Sequence, residues 1–193
     1  FMRAIAHARD HRGNPAATIL TPCDAVSAYQ MVLEMADWPS AVYLRAVRAD
    51  MGILYNENEM FPFGKHKVLR KGNGKGKKLT IATNGYLVHT ISKALPKFEA
   101  AGIDVTLVDA YCLPFDVETL LKEAEGGAIL TVEDNYIGGV ASEVAEVAAR
   151  TGKVRIESLV VRNLPKSGKT PEDVLEYVHL GEEDILAKAK SMV

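Results

Sequence analysis

Two arginines three residues apart close a short apolar run in Tyr43-Leu44-Arg45-Ala46-Val47-Arg48-Ala49-Asp50. A guanidinium just past the carboxyl end of a parallel strand is well placed to fork onto a phosphate or a carboxylate. On the residues alone, an ion pair of these arginines with Asp50 or Glu57 is an equal alternative. Polar residues follow other apolar runs as well, in Thr83-Asn84-Gly85, Asp109-Ala110-Tyr111-Cys112, Glu133-Asp134-Asn135-Tyr136 and Arg162-Asn163. Glu133 and Asp134 could form an acid–base pair, but neighbours at a strand end point in different directions. Structural or interface hydrogen bonding is therefore the main expectation for both carboxylates. Gly138-Gly139 would let backbone N–H groups come close to a neighbour.

Other chemistries find little support. The histidines His7, His11, His66, His89 and His179 show no spacing of a helical metal site, and no Cys-x-x-Cys accompanies them. His89 reads as a surface or interface residue and Cys112 as an inert packed thiol. The run Arg70-Lys71-Gly72-Asn73-Gly74-Lys75-Gly76-Lys77-Lys78 has the composition of a phosphate loop. A phosphate loop follows a strand and opens a helix, whereas this run precedes the strand starting at Leu79. It is expected to be a solvated hairpin or linker.

The elements that must position these residues fall into two groups. Thr18-Ile19-Leu20-Thr21 is a strand candidate, and Thr21-Pro22-Cys23-Asp24 starts a helix that Asp37-Trp38-Pro39 ends. Ala41-Val42-Tyr43-Leu44 completes one βαβ unit. A single such unit cannot cover both faces of its own sheet, so it needs partners that are absent or supplied by another chain. Beyond the glycine–lysine run, apolar strands begin near Leu79, Asp104, Ala128 and Arg155 with helical patterns between them. That alternation predicts a three-layer α/β/α domain with a mostly parallel, doubly wound sheet, preceded by the partial βαβ unit. Pro96 is expected to kink or shorten the first crossover helix. Two further helices follow, one started by Thr170-Pro171-Glu172-Asp173 and one from about Glu182 to Ser191. The first residues, Phe1 to Arg9, read as the tail of an amphipathic helix running into Asn14-Pro15. The division expected is residues 1–60, a linker over 61–78, and a domain over 79–193 whose boundary falls near 66.

Composition narrows the function classes. The 193 residues carry 23 Lys and Arg against 25 Asp and Glu, a net charge of -2, with no sustained basic face to meet nucleic acid or an anionic membrane. No stretch approaches the ~18 apolar residues that would span a bilayer. Cys23 and Cys112 stand alone, one in each half, which suggests neither a disulfide framework nor a thiolate metal site and favours the cytoplasm.

Several ordered segments together resemble the C-terminal part of transketolase, the thiamine diphosphate enzyme that moves two-carbon ketol units between sugar phosphates. They are Thr21-Pro22-Cys23-Asp24-Ala25-Val26, Tyr43 to Arg48 followed by Ile53-Leu54-Tyr55-Asn56, Ile129 to Tyr136 with Gly138-Gly139, and Val161 to Lys169. The resemblance implies that residues 1–60 are the rear of a pyrimidine-binding domain and that the rest is a complete C-terminal domain. It implies thiamine diphosphate and Mg²⁺ in the complete enzyme, with the diphosphate-binding domain and the catalytic motifs outside this chain. No catalytic, cofactor-binding or metal-ligating residue is therefore expected here, and the isolated chain is expected to be inactive. Arg48 occupies the place of the arginine that grips the sugar phosphate, with Arg45 in support; Val47 stands where many relatives carry serine. The implied partners are sugar phosphates and either a second copy of the chain, as a homodimer, or a complementary N-terminal half. The alternatives are a related thiamine diphosphate enzyme, such as a 2-oxoacid dehydrogenase β subunit or a deoxyxylulose-phosphate synthase, and a non-catalytic dimerisation or regulatory module.

Overall fold

The computed structural model describes residues 8–193 apart from Glu125 and Lys153. The helical tail expected at the start therefore lies largely outside the described residues. Residues 8–16 form a turn instead, in which Asp10 accepts bonds from the backbone N–H of Arg12 and Asn14, and Arg9 bridges Pro15.

The first group of elements is β1 (Ala17–Leu20), α1 (Ala25–Ala36) and β2 (Ala41–Leu44). Asp24 is the N-cap of α1, three residues later than the Thr21 start expected, because its carboxylate accepts the Ser27 N–H at 2.7 Å in a capping box. β1 and β2 pair in parallel, and the sheet gains a third strand, β6 (Cys112–Leu113), which runs antiparallel to β1. A segment distant in sequence thus adds to the smaller sheet, in the order β2-β1-β6.

The larger sheet contains β3 (Lys67–Arg70), β4 (Lys77–Thr83), β5 (Ile103–Asp109), β7 (Ala128–Glu133) and β8 (Arg155–Val160), in the order β3-β5-β4-β7-β8. All neighbours are parallel except β3, an antiparallel edge on β5. Segment 61–78, expected to be a linker ahead of a domain at 79, holds β3 and the first two residues of β4. The sheet consequently starts before position 79.

Alternation along the strands sends side chains to two faces. Leu79, Ile81, Leu107, Leu130 and Val132 pack with α2 (Tyr86–Ala100), α5 (Pro171–Tyr177) and α6 (Glu182–Met192). Ala82, Val108 and Ile129 pack with α3 (Val117–Glu123) and α4 (Val140–Thr151) on the other face. The result is the three-layer, mostly parallel α/β/α fold. α2 runs unbroken through Pro96, because buried Ile91, Ala94 and Phe98 hold both sides of the proline on the sheet.

A third core, built from Leu20, Met31, Tyr55, Phe61, Val88 and Tyr111, joins the two sheets. Phe61 packs edge-on against Tyr55 and Tyr111, with ring centres 4.8 and 5.2 Å away. The glycine–lysine run is a turn folded around a carboxylate of the domain itself. Asn73 and Gly74 donate their N–H groups to buried Asp104 at 2.8 Å each, and Gly72 donates to Thr106 Oγ1. Its anion seat is filled from within. Asp104→Ala leaves those donors without their acceptor and is expected to cost about 1–3 kcal/mol in urea unfolding.

Candidate functional site

In an open α/β sheet, ligands bind beyond the carboxyl ends of the strands, where successive connections diverge. Here the chain leaves β4 toward β5 on one side and later places β7 on the other, so the divergence falls between β4 and β7. A cavity of about 360 Å³ opens at that point. Tyr86, which follows β4, and Asp134 to Tyr136, which follow β7, form one side. Val161 at the end of β8 and Val174, Leu175 and Val178 of the α5 region form an apolar wall. Val47, Arg48 and Ala49, from the segment after β2, close it from the smaller sheet.

The two arginines take different roles. Arg45 is half-buried and donates from Nη1 and Nη2 to the two carboxylate oxygens of Asp134, at 2.8 and 3.1 Å. This bidentate pair ties the smaller sheet to the end of β7 and replaces the expected partners Asp50 and Glu57. Arg48 is exposed at the cavity and has no ion-pair partner among the described residues. Its guanidinium is available to an anion.

Glu133 is fully buried and accepts the N–H groups of Val140 and Ala141 at 3.2 and 3.1 Å, at the start of α4. A Cβ on Gly139 would lie 2.1 Å from its Oε2, so only glycine admits the carboxylate. Glu133 and Asp134 are thus both held in structural bonds, as their position at a strand end implied. His89 lies at the junction of the sheets, 2.6 Å from the Cys23 carbonyl, where Nε2 must donate. Burial pushes the Cys112 thiol up to about 12, so it is protonated and unreactive at neutral pH.

A buried polar cluster joins the same two sheets. Asp109 at the end of β5 has no exposed surface; its Oδ2 accepts from Tyr55 Oη at 2.9 Å and from Cys23 Sγ at 3.4 Å. Its Oδ1 has no hydrogen-bond partner among the described residues. Burial raises the Asp109 carboxyl to about 7, with Asp24 adding to the rise; Tyr55, Cys23 and Lys67 oppose it. Asp24 in turn accepts the N–H groups of Leu54 and Tyr55 at 2.8 and 2.9 Å, fixing the loop that carries the tyrosine.

Strand-end reasoning found Arg45, Arg48, Asn135 and Tyr136, and the structure brings these to one place. It missed the wall contributed by Val174, Leu175 and Val178, whose helical pattern carries no sign of which strand end it will cover. It also missed the partnership of Tyr55 and Cys23 with Asp109, which spans 54 and 86 residues of chain. Among the described residues no group of three or more His, Cys, Asp or Glu gathers in a way that could hold a metal ion. No helix among them is long and apolar enough to cross a membrane.

A doubly wound α/β domain with its crevice at the divergence of the sheet, docked on a partial βαβ sheet, is the class that fold and site define. Residues 64–185 match the family model described as transketolase, C-terminal domain, and the chain belongs to that family. It is 30% identical over 179 residues to transketolase-like protein 1 of Bos taurus, covering 91% of this chain and 30% of that protein. With the transketolase of Rattus norvegicus the identity is 30% over 186 residues, or 94% of this chain and 29% of the relative. The chain therefore spans about 30% of the length of these curated relatives. A solved structure described as a split-gene transketolase in an inactive beta4 tetramer superposes with a TM-score of 0.83 at 26% identity, covering 99% of this chain and 60% of that one. A transketolase variant from Pichia stipitis shares the fold, with a TM-score of 0.69 at 16% identity.

The Asp109 cluster makes stability depend on pH. Below the usual carboxylate value of 3.8 the group is protonated whether folded or unfolded. Between there and about 7 the folded chain keeps a proton that the unfolded chain has released, so stability falls as pH rises. Urea unfolding at a series of pH values should show a slope of up to about 1.4 kcal/mol per pH unit in that window. Asp109→Asn, which still accepts from Tyr55, should flatten it.

Proposed function

We propose that this chain is the C-terminal part of a transketolase. In this reading residues 1–60 are the rear of the pyrimidine-binding domain, 61–78 lead out of it, and the remainder is the C-terminal domain. Transfer of two-carbon ketol units between sugar phosphates is the activity of the complete protein, which supplies thiamine diphosphate and Mg²⁺ from its other domains. The donor set of the described residues does not fit the metal, and no step of the cofactor's chemistry is assigned to this chain. The family match and the likeness to a split-gene transketolase support the reading.

The observation that carries it is the division of labour between the arginines. Arg45 is spent on Asp134, and Arg48 is left exposed, without an ion-pair partner among the described residues, beside a cavity at the strand ends. Arg48 would hold the phosphate of a sugar substrate and orient it, with Arg45 keeping the segment in place. The partner proposed is a complementary N-terminal half, or a second copy of the chain within a larger assembly. On α1, Tyr29, Val32 and Leu33 are 63%, 50% and 51% exposed, an apolar strip that such a half would cover.

Activity assays should find no turnover by the chain alone and turnover on addition of an N-terminal transketolase half. Calorimetry should find no micromolar binding of thiamine diphosphate and Mg²⁺ to the chain alone; turnover or such binding would contradict the proposal. In the reconstituted enzyme Arg48→Ala should raise KM for phosphorylated substrates about tenfold or more, with a smaller effect on unphosphorylated ones. Equal losses for both would remove Arg48 from the phosphate site.

A further inference from the structure

We propose that the cavity between β4 and β7 is a binding site for a small anion with an apolar body, an aryl or branched-alkyl phosphate or carboxylate, with Arg48 as its charge contact. The proposal shares Arg48 with the preceding reading but requires no catalysis. A sugar phosphate is polar along its whole length and has no use for the wall formed by Val161, Val174, Leu175 and Val178. That wall and Arg48 line the same cavity.

Charge complementarity selects the class. Two charged side chains line the cavity, Arg48 and Asp134. Asp134 is neutralised by Arg45 at 2.8 Å, so of the two lining charges Arg48 is the one without an ion-pair partner among the described residues. The other nearby anion seat, at the start of α4, already holds Glu133. Arg48 is therefore the charge contact that the lining offers an incoming anion, and the apolar wall stands in the same cavity to receive its body. At about 360 Å³ the cavity falls within the size range of small-molecule sites, and it lies where open α/β sheets bind ligands. Leu175 is 7% and Val178 4% exposed, so the floor is already desolvated, and an apolar group gains by covering what remains.

The 193-residue chain can be titrated with phenyl phosphate and, separately, with inorganic phosphate at the same ionic strength while its backbone amide resonances are followed. Phenyl phosphate should bind about tenfold or more tightly than inorganic phosphate, and shift the amides of Val161, Leu175 and Val178. Arg48→Ala should weaken phenyl phosphate about tenfold. Val174→Asp should abolish the preference for phenyl phosphate; the nearly isosteric Val174→Thr should reduce it and serves if the aspartate variant does not fold. Equal affinity for the two probes, no saturation by about 10 mM, or shifts confined to other surfaces would overturn the proposal. Binding of phenyl phosphate together with an Arg48→Ala enzyme of unchanged KM would remove the substrate reading and leave this one standing.

Discussion

Docking of β1 and β2 onto the larger domain brings the two sides of the candidate site together. A parallel pair of short strands with one helix has too little apolar surface to make a core of its own. The pair gains a third strand from β6 and shares the core of Tyr55, Phe61 and Tyr111 with the neighbouring domain. Arg45 and Arg48 leave the end of β2, so their distance from β7 is set by that docking. The Arg45–Asp134 pair closes the same junction at its polar end, and Asp109 with Tyr55 and Cys23 closes it in the interior.

Electrostatics then sorts the polar groups by whether the fold has already used them. Asp104 occupies the glycine–lysine turn, Glu133 occupies the start of α4, and Asp134 occupies Arg45. Each places a carboxylate on donors that could otherwise take a ligand. At the cavity, Arg48 is the lining charge with no ion-pair partner among the described residues. A lining charge without an ion-pair partner gives orientation to whatever binds, because the other lining charge, Asp134, is already held by Arg45.

Much of the architecture was legible in the residues. The apolar runs from 79, 104, 128 and 155 are strands within two residues of those positions, and the α3, α4, α5 and α6 helices fall where their caps and periodicity place them. β3 was hidden because an edge strand of four half-buried residues, Lys67–Arg70, has weak alternation. β6 was hidden because two residues carry no period at all. The role of the glycine–lysine run as a wrapper for Asp104 was equally invisible, since its partner lies about 30 residues away.

By itself the sequence determined the fold class, the family resemblance, the strand ends at which polar residues gather, and the candidacy of Arg45 and Arg48. These follow from local periodicity, caps and short motifs, which act over a few residues of chain. Only the tertiary structure decided that Arg45 is bound to Asp134 while Arg48 has no ion-pair partner among the described residues, and that α5 supplies an apolar wall to the same cavity. Those outcomes join segments far apart in the chain, 89 residues for the Arg45–Asp134 pair and more for Arg48 and α5, and they exist only once β1, β2 and the larger sheet are packed together.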